Sequence, residues 1–148
     1  MSARAQPRSA ARLAATQALY QKDMEQVALA RLLDEFHQHR LGREIEDAQY
    51  ADADVAFFDD LVSGVDARRD EIDALVSDKL AEGWSIKRLD RTMLQILRCG
   101  TYELLARADV PKATAISEYV DVAHAFFAER EAKFVNGLLD AIARQVRD

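Results

Sequence analysis

Hydrophobic residues recur at steps of three and four along most of this chain, which is the spacing of amphipathic helices. The longest such stripe covers residues 54–80 and predicts one long helix. Its apolar positions are Val55, Phe58, Leu61, Val62, Val65, Ile72, Leu75, Val76 and Leu80. No alternating pattern typical of β-strands competes with it, so the predicted fold class is all-α.

Local start and stop signals divide the rest of the chain into further helices. Apolar residues from Val27 onward predict a helix before the long one, and Gly42 marks a loop between the two. Gly83 ends the long helix, and Asp90 is placed to cap the start of the next one. Two more apolar stripes follow, one on each side of residue 128. Every predicted element is therefore helical.

The length and composition of the chain predict one stable domain. A chain of 148 residues that is 49% hydrophobic can bury about 68–70% of its unfolded surface, which is enough without disulfides or metals. We expect a single domain over residues 1–148, made of two small helical bundles packed together. The expected boundary lies near residue 83 and separates residues 1–82 from residues 83–148.

Cysteine content and apolar runs bear on the compartment. Cys99 is the single cysteine, so an internal disulfide cannot form and a reducing environment is indicated. The sequence contains no apolar run of the kind that forms a signal peptide or a membrane span. We therefore expect a cytoplasmic protein that does not contact a membrane.

The net charge of −6 is unevenly distributed. Residues 1–22 carry a charge of +4, residues 23–83 carry −11, and residues 84–148 carry +1. A polyanion such as RNA should therefore meet the two ends of the chain and avoid its acidic middle.

The first predicted helix carries a candidate binding stripe. Arg8, Arg12, Thr16 and Tyr20 are spaced four residues apart, so they form a continuous line along one side. Guanidinium groups can pair with phosphates, and a tyrosine ring can stack on an unpaired base. The residues alone leave a second interpretation open, since two arginines on an ordinary solvated helix edge would give the same pattern.

Several sequence blocks, in this order and spacing, resemble the NusB family of bacterial transcription antitermination factors. They are ILRCGTYEL at residues 96–104, VPKA at 110–113, ISEYV at 116–120 and KFVNGLLD at 133–140, with further matching segments at residues 12–20 and 61–65. The resemblance implies a small helical protein that binds single-stranded boxA-type RNA of ribosomal RNA operons as a heterodimer with the ribosomal protein NusE. Other Nus factors and RNA polymerase would be indirect partners, and the free protein could form a homodimer.

The resemblance also implies which residues touch RNA. Family members begin with an arginine-rich segment that contacts RNA, although Ser9 and Ala10 stand here where many members have further arginines. An aromatic residue before the KFVNG block and a nearby lysine contribute a second contact in the family. The predicted RNA-binding residues are Arg4, Arg8, Arg12, Thr16, Tyr20, Phe126, Arg130 and Lys133. Which of Phe126 and Phe127 is exposed stays open.

Two alternative functions remain beside antitermination. A NusB-like module also precedes the catalytic part of certain ribosomal RNA methyltransferases, so the chain could be an RNA-recognition module of such an enzyme. It could also be a helical adapter without RNA affinity, which would bind its partner with little dependence on salt.

No residue pattern predicts catalysis, a metal site or a cofactor. His37 and His39 are two apart and point to different sides of a helix, so they are poor joint metal ligands. Glu103 is flanked by apolar residues, which favours a structural carboxylate. Asn136 and Gly137 fall inside the apolar spacing of the last helix, and we expect Gly137 to allow close helix packing. The chain is predicted not to be an enzyme.

Overall fold

The computed structural model describes residues 5–39 and 53–147, and within these ranges the regular structure is entirely helical. The predicted all-α fold class is confirmed. Arg4 and the predicted loop at Gly42 lie outside the described residues. The helices are α1 (Ala5–Glu25), α2 (Leu29–His39), α3 (Val55–Ala67), α4 (Arg69–Lys79), α5 (Arg91–Ala106), α6 (Lys112–Phe126) and α7 (Glu129–Val146), with a 3₁₀ turn at Ile86–Arg88.

The chain forms two compact units, residues 1–64 and residues 65–148. They divide within α3, between Gly64 and Val65. The boundary that the sequence predicts near residue 83 lies inside the second unit.

Arg68 interrupts the predicted long helix. Its φ of −110° and ψ of 22° lie outside the α-helical region, so α3 ends at Ala67 and α4 begins at Arg69. The prediction of one helix over residues 54–80 is therefore wrong, and α1 is the longest described helix. Arg68 donates two hydrogen bonds to the Glu71 carboxylate, at 2.9 and 3.1 Å. This contact holds the pKa of Glu71 below its usual value.

In the first unit, small residues of α1 and rings of α2 and α3 form the core. Ala11, Ala14, Ala15 and Ala18 of α1 are completely buried. The rings of Phe36 and Phe58 stack with their centroids 5.4 Å apart. Because alanine side chains are short, α1 can lie close to the aromatic layer.

In the second unit, α5 is the central helix and packs against α4, α6 and α7. The Asp90 carboxylate accepts hydrogen bonds from the backbone N–H groups of Thr92 and Met93, at 2.8 and 3.1 Å, which confirms the predicted cap of this helix. A Cβ atom at Gly100 would lie 2.7 Å from Leu139 Cδ1 of α7. Glycine at this position therefore sets how closely the two helices approach.

Buried polar side chains tie α5 to its neighbours. Arg98 donates two hydrogen bonds to the Asp73 carboxylate of α4, each 2.8 Å long. The Tyr119 hydroxyl of α6 donates a 2.5 Å hydrogen bond to Glu103 Oε2, and both side chains are fully buried. The predicted structural role of Glu103 is confirmed.

Candidate nucleic-acid interface

The predicted stripe on α1 contains residues of very different exposure. Tyr20 is 38% exposed, and Arg8 is partly exposed. Arg12 is only 3% exposed and Thr16 is completely buried. Arg12 is therefore part of the packed face of α1, because its guanidinium lies over the ring of Phe57 from α3.

The ring of Phe57, at the start of α3, contacts the guanidinium groups of both Arg8 and Arg12. The guanidinium carbon of Arg8 lies 4.5 Å from the centroid of the Phe57 ring, and that of Arg12 lies 4.9 Å from it. Arg8 Nε is also 3.8 Å from Asp54 Oδ2. These contacts hold two positive charges on one aromatic ring, with a carboxylate beside them.

Backbone and side-chain hydrogen bonds fix the same junction. Asp54 donates its backbone N–H to the carbonyl oxygen of Pro7, at 3.0 Å. Its carboxylate accepts a 3.0 Å hydrogen bond from the N–H of Phe57 and so caps α3. The Thr16 hydroxyl donates a 3.0 Å hydrogen bond to the Arg12 carbonyl oxygen. This bond satisfies the polar group of Thr16 in its buried position. The hydrogen bonds of Asp54 connect the start of α1 to the start of α3 beside Arg8.

Exposed apolar groups extend this edge of α1 towards its C-terminal end. Met24, one turn after Tyr20, is 56% exposed. A tyrosine ring and a polarisable thioether at the surface can both pack against an unpaired base. Tyr20 and Met24 thus add exposed apolar area near the C-terminal end of α1, rotated by about 120° and about 160° from Arg8.

The second candidate surface lies where α6 meets α7. Phe126 is 40% exposed and Phe127 is half-buried, which settles which of the two rings is at the surface. The two rings are 6.4 Å apart and tilted by 56°. The Arg130 side chain is 91% exposed, with its guanidinium 3.3 Å from the Glu131 carboxylate. Lys133 is exposed on the next turn.

Two further residues of α7 reach the surface against expectation. Phe134 is 38% exposed, although the sequence groups it with the apolar stripe of the last helix. Among the described residues, no atom beyond the adjoining backbone of α7 lies within 4 Å of a Cβ built on Gly137, so the expectation that Gly137 allows close packing is wrong. The helical state predicted for Asn136 and Gly137 is confirmed. A signal was available in the sequence, because Phe134 and Gly137 fall on the same helical face as Arg130.

The predicted residues thus form two groups, each within one compact unit. Arg8, Arg12, Thr16 and Tyr20 belong to the first unit, and Phe126, Arg130 and Lys133 belong to the second.

Metal-binding side chains do not cluster in the part of the chain that the structure describes. No group of three His, Cys, Asp or Glu residues is placed to hold an ion there. His37 instead lies 2.6 Å from the Asp59 carboxylate, and His124 lies 3.7 Å from that of Glu129. Likewise, none of the described helices is both long and apolar enough to span a bilayer.

Comparison with known proteins matches nearly the whole chain to one family. The NusB family profile matches residues 9–144. The chain is 76% identical over 140 residues to the transcription antitermination protein NusB of Novosphingobium aromaticivorans, covering 95% of each chain. It is 67% identical over 147 residues to the protein of the same name from Sphingopyxis alaskensis, covering 99% of each.

Solved structures share the fold. T. maritima NusB superposes with a TM-score of 0.78 at 34% identity, covering 94% of this chain and 92% of that one. A chain from the crystal structure of antitermination factors NusB and NusE in complex with double-stranded RNA superposes with a TM-score of 0.78 at 26% identity, covering 97% and 99%.

Proposed function

The chain belongs to the NusB family, and from this premise we propose that it is a transcription antitermination factor that binds boxA-type RNA of ribosomal RNA operons together with the ribosomal protein NusE. The observation that carries the proposal is the match over nearly the full chain to a structure of NusB and NusE with RNA. Other Nus factors and RNA polymerase are reached through this complex.

We propose a single-stranded RNA ligand because two aromatic rings are exposed on the candidate surfaces. Tyr20 and Phe126 can each stack on a base only if the base is not already stacked within a duplex. Arg8, Arg130 and Lys133 would neutralise phosphates along the strand. Arg4 is proposed to add a further cation before α1.

Arg12 and Thr16 have a supporting role in this proposal. Arg12 holds the Phe57 ring against which Arg8 lies. The hydroxyl of Thr16 bonds to the Arg12 carbonyl oxygen within the same helix. Both residues therefore shape the RNA-facing edge of α1 without needing to touch the strand.

NusE is expected to strengthen RNA binding considerably. With a net charge of −6, this chain offers few clustered cations, and phosphate neutralisation supplies most non-specific affinity for RNA. A basic partner would add its own contacts to the same strand. We expect it to dock either on the helices of the second half or on the acidic helical segment of residues 54–80, because the negative charge of the middle of the chain would attract a basic protein.

We assign the protein no catalytic step and place it in the cytoplasm, where bacterial transcription takes place. The similar proteins of the family are named for transcription antitermination and not for an enzymatic activity.

An RNA titration tests the proposal. A labelled boxA-type RNA is titrated with this chain, with NusE and with their equimolar mixture, each at two salt concentrations. We expect the mixture to bind at least about tenfold more tightly than either protein alone, with a steep loss of affinity at high salt. A scrambled RNA of the same length is the control. Equal affinity for the mixture and for the separate proteins would contradict the proposal.

A further inference from the structure

Gly137 occupies a position in α7 that its packing does not explain. It lies in the interior of a helix of 18 residues, at an exposed site, and a Cβ atom at this position would have no atom within 4 Å. Glycine destabilises a helix interior because it leaves more backbone freedom to lose on folding. At Gly100 the close approach of Leu139 accounts for this cost. At Gly137 nothing within the described protein does.

The residues around Gly137 form a face of distinct chemistry, here called the basic α7 face: Arg130, Lys133, Phe134, Gly137 and Arg144. Relative to Arg130, helical geometry places the other four within about 60°. Phe134 is 38% exposed, and the Arg144 side chain is 74% exposed. A surface phenylalanine beside three cations combines a stacking group with phosphate partners.

Acidic side chains of α7 lie mainly beside this face. Glu129 and Glu131 are each rotated by about 100° from Arg130, one to either side. Asp140 is engaged by Arg144 at 2.9 Å. Arg130 and Arg144 form exposed ion pairs with Glu131 and Asp140, and such pairs are weak enough for a phosphate to compete for the cations. With Lys133 between them, the face suits a polyanion better than a basic protein surface.

We propose that the single strand bound at Phe126 continues along the basic α7 face, where Phe134 stacks a further base and Gly137 lets the ribose-phosphate chain lie directly on the helix. This inference rests on the proposed RNA-binding function and extends its surface by about three helical turns beyond Lys133. Bare backbone is what a closely approaching ligand requires, and a side chain at position 137 would hold the strand away.

Substitution of Gly137 separates folding from binding. Gly137→Ala and Gly137→Gln should both raise the melting temperature, because each adds helix propensity in open space. Gly137→Gln should nevertheless weaken RNA binding by the NusE complex about tenfold, with Gly137→Ala in between. Ala108→Gln, at an exposed position in the turn after α5 and outside the segments expected to bind NusE, is the control and should leave RNA affinity unchanged. A variant that is stabilised and yet binds RNA less well identifies a ligand contact.

Phe134→Ala provides the second, independent test. Loss of one stacked base should weaken RNA binding roughly five- to 150-fold, with little change in salt dependence. Wild-type affinity in both Gly137→Gln and Phe134→Ala would overturn the inference while leaving the proposed function intact. Loss of NusE binding without RNA would also overturn it, because the face would then bind protein. Absence of RNA binding by the wild-type complex would instead overturn the proposed function, and the inference with it.

Discussion

The Arg12 guanidinium lies over the ring of Phe57, with 4.9 Å between the guanidinium carbon and the ring centroid. Arg8 approaches the same ring at 4.5 Å. The two arginines look equivalent in the sequence, but Arg12 is buried and Arg8 is partly exposed. The two arginines therefore share one aromatic ring but differ in their contact with solvent.

The first prediction separates these two arginines by stability. Arg12→Ala should lower the free energy of unfolding by about 1–3 kcal/mol, since it removes a desolvated cation–π contact and buried methylene groups. Arg8→Ala should cost less than about 1 kcal/mol, because part of its side chain is in water. Thermal unfolding of both variants checks this. Equal destabilisation would show that the difference in burial has no energetic consequence.

The second prediction concerns the contact of Gly100 with Leu139. Gly100→Ala should destabilise the second unit by about 1–3 kcal/mol, because the new methyl group would overlap the side chain of fully buried Leu139 and force it to shift within the core. Gly137→Ala is the matched control and should stabilise by up to about 1 kcal/mol. Chemical denaturation of the two variants gives the comparison. Stabilisation by Gly100→Ala would mean that α5 and α7 can separate at little cost.

The third prediction concerns Arg147, near the end of the chain. Its guanidinium donates hydrogen bonds to the carbonyl oxygens of Leu104, Val110, Arg107 and Glu103, at 2.9, 2.8, 2.9 and 3.2 Å. It thereby satisfies carbonyl groups at the C-terminal end of α5 and in the loop that follows.

Arg147→Ala should therefore destabilise the second unit by about 2–3 kcal/mol, as expected for charge-assisted hydrogen bonds that leave carbonyls unpaired when lost. Arg147→Lys should recover only part of this, because an ammonium group lacks the planar arrangement of five donors. Urea denaturation measures both variants. Full recovery by lysine would show that charge near the helix end matters and the geometry does not.

The sequence was sufficient to predict the features that depend on local order. Asp90 could be recognised as a cap because its carboxylate needs only the next few residues of α5. The helical state of Asn136 and Gly137 followed from the apolar spacing around them, against their local turn preference. The family resemblance was confirmed because blocks along the whole chain agreed.

Features that depend on distant residues could not be predicted in the same way. The burial of Arg12 depends on Phe57, which comes from another helix. The break at Arg68 leaves no sign in the sequence, because alanine and arginine on either side of it both favour helix. In the sequence, Gly100 and Gly137 both lie within helical apolar spacing and cannot be told apart. In the structure they differ because Leu139 lies against Gly100.

The dependence of RNA affinity on salt tests the central claim that the two candidate surfaces bind phosphates. The variant carries Arg8→Ala, Arg130→Ala and Lys133→Ala and is measured as the NusE complex with boxA-type RNA. A control with Lys87→Ala, Arg88→Ala and Arg107→Ala loses the same charge from turns outside the segments expected to bind NusE. Because each lost contact to a single strand flattens the slope of log affinity against log salt by about 0.7, we predict a slope reduced by about 2 in the variant and nearly unchanged in the control. A variant with the affinity and the salt slope of the wild type would contradict the account.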